Sequence, residues 1–125
     1  MQLQKDMPDH HDADLVIRLY ELRREAVMRE SRSAVNQFWP RTAEEALAVA
    51  APAHPLNAPF RQVLGYWEMV YGMAVHGIVH ADYLVENNGE GLCFYSRFYP
   101  LLDQGHGTYG PRAFQHNEWV ARETS

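Results

Sequence analysis

The sequence predicts an all-α protein: a small helical bundle of about four to six helices, with a long N-terminal helix and a central buried helix. Three observations carry this reading. Residues 60–77, FRQVLGYWEMVYGMAVHG, place apolar side chains around almost the whole circumference of a helix, as a core helix does. The other apolar segments repeat at helical spacing, and none alternates as a half-buried strand would. Helix boundaries are also marked, by Thr42-Ala43-Glu44-Glu45 as a start and by Gly77 and Asn87-Asn88-Gly89 as stops.

Residues 1–11 are expected to form a flexible N-terminal tail, because Pro8 and the His10-His11 pair sit in a polar run without apolar period. Residues 12–125 then form a single helical domain. Its first helix starts with Asp12 or Asp14 as N-cap and runs to about Phe38, where Trp39-Pro40 ends it. A charged stripe of Arg18, Glu21, Glu25, Arg29 and Arg32 faces solvent, and Leu15, Leu19, Leu22 and Ala26 lie opposite, joined by Val16, Tyr20, Val27, Ala34 and Phe38. Arg23 and Glu30 interrupt that apolar stripe and need partners. Thr42 and Glu45 form a capping box that opens a short alanine-rich helix ending at Pro52.

Residues 51–59 read as a proline-stiffened loop, after which Asn57 caps the central helix and Pro59 falls in its first turn. Gly77 suits the left-handed position just past that helix, with Ile78 reaching back toward Met73. Val79 and Leu84 bracket His80 at the spacing of a hydrophobic staple, so a second short helix follows at once. Residues 90–103 resume a helical pattern that Pro100 should kink or split. Residues 104–110 are a connector, and Pro111 begins a last helix carrying Phe114, Trp119 and Val120.

Composition narrows the function. The chain of 125 residues is 46% hydrophobic and 12% aromatic, enough for one packed core, and its net charge of -5 argues against a general nucleic-acid binder. No secretory signal opens the sequence, and Arg61, Glu68 and His76 oppose a membrane span through the central helix, so the cytoplasm is the expected compartment. Cys93 is the one cysteine; its setting LCFY predicts a buried small hydrophobe.

The candidate site is a stripe on the central helix. Arg61, Gly65, Glu68, Gly72 and His76 recur at intervals of four, three, four and four, so they stack on one face. Two mid-helix glycines each cost about 1 kcal/mol relative to alanine, which points to a close approach by a neighbouring helix, a second copy or a small ligand. Glu68 is expected to be buried or half-buried and paired with a cation, Arg23 first, with Arg61 or an arginine of a second copy as the alternatives. His76 and His80 have the spacing of a metal pair, but the turn at Gly77 separates them and neither Glu-x-x-His nor His-Glu-x-x-His occurs. No metal, cofactor or catalytic residue is therefore assigned.

The run GlyTyrTrpGlu at 65–68, the turn at Gly77, IleValHisAlaAspTyrLeu at 78–84 and the aromatic helix ending in ProLeuLeu at 100–102 resemble an uncharacterised bacterial all-α domain family of unknown function. The resemblance spans about residues 60–102 and implies fold without activity. Function on this reading is a non-catalytic helical interaction or self-associating module, a homodimer being the expected partnership; the competing class is a small-molecule-binding or metal-dependent helical-bundle enzyme.

Overall fold

A computed structural model of the protein describes residues 6–99, 101 and 114–124. The expectations for Pro100, for the connector at 104–110 and for Pro111 lie outside them. Among the described residues there are seven α-helices and no strand: α1 (His10–Arg23), α2 (Ala26–Asn36), α3 (Ala43–Ala48), α4 (Asn57–Val75), α5 (Ala81–Asn87), α6 (Glu90–Phe98) and α7 (Gln115–Glu123). No described helix is long and apolar enough to cross a membrane.

The expected long first helix is two helices. Glu25 leaves helical geometry (φ -58°, ψ 145°) and caps α2, its carboxylate accepting from the Val27 and Met28 N–H groups at 2.9 and 3.2 Å. The break lets α1 pack on α5 while α2 packs along α4, which one straight rod could not do. It also moves the expected buried face, since Tyr20, Leu22 and Val27 are exposed while Val16, Leu19, Met28 and Val35 are buried. The start of α1 differs as well. Asp9 is the N-cap, so His10 and His11 are helical, and Asp12 completes a reciprocal capping box from inside the helix. Asp12 is fully buried, and its Oδ1 accepts from the His80 N–H at 3.0 Å, tying α1 to the entrance of α5.

Helix α4 runs through the core as its composition predicts, with Trp67, Val70, Tyr71 and Ala74 removed from solvent. Four phenylalanines close around it: Phe60 of α4, Phe94 and Phe98 of α6, and Phe114 before α7 touch one another with ring centroids 5.3–6.4 Å apart. Such ring pairs add about 0.5–1.5 kcal/mol each beyond the area they bury. Asn57 is not the cap of α4. It is the first helical residue and is buried, its amide donating to the Val49 carbonyl at 2.9 Å and its oxygen accepting from Arg61 Nε at 2.9 Å. Thr42 does cap α3, while Glu45 reaches one residue further back than a capping box requires, to the Arg41 N–H at 2.7 Å.

The exit from α4 is as the sequence reads. Gly77 has φ 72°, Ile78 N–H donates to the Met73 carbonyl at 2.8 Å, and Gly77 N–H donates to Ala74 at 3.1 Å. His80 then caps α5, its Nδ1 accepting from the Tyr83 N–H at 3.1 Å, and the staple residues Val79 and Leu84 are both fully buried. Cys93, by contrast, is exposed: on α6 it falls on the outward face with Ser96, while Phe94, Arg97 and Phe98 turn inward.

Two arginines fasten α2. Arg97 of α6 is buried and donates to the carbonyls of Val35 and Phe38 at 2.7 and 3.0 Å, serving the C-terminal end of α2; burial lowers its pKa. Arg32 forms a two-pronged bridge to Glu90 of α6, at 2.7 and 2.6 Å. Burial by itself would raise the Glu90 pKa, but the bonds and field of Arg32 outweigh it, and the value lies below the ordinary 4.5.

Gly77→Ala is expected to lower stability by about 1 kcal/mol, because a Cβ is unfavourable at positive φ, and an unchanged urea midpoint would contradict this. The lowered Glu90 pKa sets a pH dependence. Its contribution is complete above 4.5, the unfolded value, and is lost as pH falls below that through the folded value. Urea midpoints measured from neutral pH downward should therefore decline less steeply for Glu90→Gln than for the parent; parallel declines would show that the bridge adds nothing.

Candidate functional site

The stripe Glu68, Gly72 and His76 on α4 is where α7 lands. Helix α7 begins after Phe114, which sits in the left-handed region at φ 64° and offers no capping side chain. Its first N–H groups need an acceptor, and Glu68 supplies it. Oε1 accepts from the His116 N–H at 2.9 Å, and Oε2 accepts from the Asn117 N–H at 2.8 Å and the Asn117 side-chain amide at 2.6 Å. A carboxylate at this end of a helix also meets the favourable pole of its dipole.

The His116 ring lies flat on the next turn of the same stripe. A Cβ built on Gly72 would stand 2.8 Å from His116 Nδ1, so only glycine admits the ring. His116 Nδ1 is 3.0 Å from the Glu68 carbonyl and 3.7 Å from its Oε1. A carbonyl can only accept, so Nδ1 carries a proton, and in the neutral ring Nε2 is the acceptor facing the Gln115 side-chain amide at 3.2 Å. His76, one turn on, sets its ring edge-to-face at 6.0 Å between centroids.

Glu68 is thus half-buried and fully engaged, but its partner is the N-terminal turn of α7 and not Arg23. Arg23 instead lies over the Tyr20 ring at 4.8 Å with its Nε buried and without a hydrogen bond, and its positive field acts on Tyr66 and Glu90. Tyr66, pushed up to about 12 by burial, donates to the Leu19 carbonyl at 2.5 Å. Arg61 serves Asn57. His76 and His80 stand on opposite sides of the Gly77 turn, and His80 Nδ1 is occupied by its cap. Among the described residues no group of three His, Cys, Asp or Glu side chains converges as a metal-ligand set. The last helix was expected to carry Phe114, but Phe114 is its left-handed N-cap and the helix starts at Gln115; its landing on Glu68 was hidden because His116 and Glu68 are 48 residues apart in sequence.

Gly65 belongs to a different surface. Among the described residues, a Cβ there would meet nothing within 4 Å. Gly65 helps line an open groove of about 350 Å³ with Leu22, Glu25, Met28, Gln62, Tyr66 and Met69. Leu22 and Met69 are 48% and 46% exposed, an apolar border left open by the break between α1 and α2. The sequence reading missed the groove because it took that region as one straight helix.

The two glycines therefore predict opposite results. Gly65→Ala should raise monomer stability by about 0.5–1 kcal/mol through helix propensity. Gly72→Ala should lower it by about 1–3 kcal/mol by displacing His116. Denaturant midpoints of the two variants check this, and equal shifts would contradict it.

Comparison with curated proteins and with solved structures finds no match. The sequence does match a family over residues 8–124, covering all seven helices. The chain is a member of the domain of unknown function family DUF4760.

Proposed function

We propose that the protein is a non-catalytic, self-associating helical module, and that a second copy occupies the Gly65 groove. The observation that carries this reading is that no described residue gives Gly65 a reason. Among the described residues its absent side chain accommodates no neighbour, although a glycine at mid-helix costs about 1 kcal/mol relative to alanine. A close approach from outside supplies the reason, and two α4 helices crossing at Gly65 about a two-fold axis make such an approach. On this reading the module works in the cytoplasm and engages neither nucleic acid nor membrane.

A small-molecule-binding or metal-dependent enzyme is the competing class, and the groove volume favours it, being within the usual range for ligand pockets. The polar groups of the groove weigh against it. The Glu25 carboxylate is committed to α2 and the Tyr66 hydroxyl to α1, leaving little to orient a substrate.

Native mass spectrometry and sedimentation velocity over a concentration series test the proposal. The parent should show a monomer–dimer equilibrium, while Gly65→Gln and Met69→Glu should remain monomeric with unchanged helical circular dichroism. A parent that stays monomeric throughout, or carries a co-purified ligand lost in Gly65→Gln, would overturn it.

A further inference from the structure

We propose that His76 and His116 together form a binding site for a divalent transition-metal ion of the zinc class, joining the end of α4 to the start of α7. The inference is independent of self-association. His116 is arranged as a metal-ligating histidine is: one ring nitrogen donates to a fixed acceptor, which settles the tautomer and turns the other lone pair outward. Here Nδ1 donates to the Glu68 carbonyl at 3.0 Å, with the Glu68 carboxylate 3.7 Å away. Gly72 seats the ring against α4, so little side-chain freedom remains to be lost on binding.

The second imidazole lies at a separation compatible with sharing an ion. With metal–nitrogen bonds of about 2.0–2.1 Å, two imidazoles on one tetrahedral ion have ring centroids about 5–6 Å apart. Those of His76 and His116 are 6.0 Å apart, and exposed His76 is free to turn a nitrogen toward the gap. The Gln115 amide, now 3.2 Å from His116 Nε2, would give way to the ion. Two imidazoles suit zinc, copper or nickel and not magnesium or calcium, and water completes the coordination sphere. The ion binds only where α7 is docked, so it should stabilise the folded chain by mass action.

The test is calorimetric titration of the full chain with zinc chloride, with magnesium chloride as control. The background is Cys93→Ser, His10→Asn and His11→Asn, which removes three other exposed ligands. One zinc ion should bind per chain and raise the thermal midpoint. His76→Gln and His116→Gln should each weaken binding by about tenfold or more and abolish the rise. His76→Gln is the decisive variant, because its ring is exposed and its loss leaves the hydrogen bonds from α7 to Glu68 intact. Zinc binding no stronger than magnesium in the background chain, or unchanged by His76→Gln, would overturn the proposal.

Discussion

The arrangement depends on one carboxylate meeting one helix end. Helix α7 starts from a phenylalanine in left-handed geometry, a conformation that costs about 1–2 kcal/mol for a residue with a Cβ, and it brings no capping side chain of its own. Two contacts hold it there. The Phe114 ring is buried among Phe60, Phe94 and Phe98, and Glu68 takes the leading N–H groups of the helix. Without Glu68 those donors would face the interior unpaired, at about 1–3 kcal/mol for each one left unsatisfied. The same carboxylate sets His116 on Gly72, so the position of α7, the closure of the phenylalanine cluster and the pairing with His76 all follow from it.

The rule extends through the bundle. A short helix leaves as large a share of its backbone groups unpaired as its length is small, and this chain is built mostly of short helices. Its buried polar side chains answer that need. Arg97 serves the end of α2, Tyr66 and Arg32 serve the end of α1, and Asp12 and His80 serve the start of α5. These side chains are in this way committed to backbone groups at helix ends.

What was legible in the sequence was whatever contiguous residues decide. The Gly77 turn, the His80 cap with its staple, the Thr42 cap and the all-round apolar character of α4 are encoded within a few positions and stand as read. What was not legible depends on distant partners. The break at Glu25 is driven by packing on α5 and α4, against a local pattern that would continue a helix. Glu68 is half-buried, and its expected cation is replaced by the N-terminal turn of α7, a distant partner that no residue near Glu68 in the sequence announces. Cys93 was judged by its neighbours in sequence, yet on a helix those neighbours point elsewhere.

The stripe on α4 was seen as one feature and is two. At its lower end Glu68, Gly72 and His76 are occupied by α7, and the glycine there is explained by His116. At its upper end Gly65 lies open beside Leu22 and Met69, and its neighbour Arg61 is hydrogen-bonded to Asn57. Gly65 and His76 are eleven residues apart on one helix, about 16 Å at the helical rise. That separation exceeds the reach of a shared side-chain contact, and unrelated changes this far apart act additively. The proposed association through the upper half and the proposed ion site at the lower half are accordingly separate, and a variant that removes either leaves the other to be measured intact.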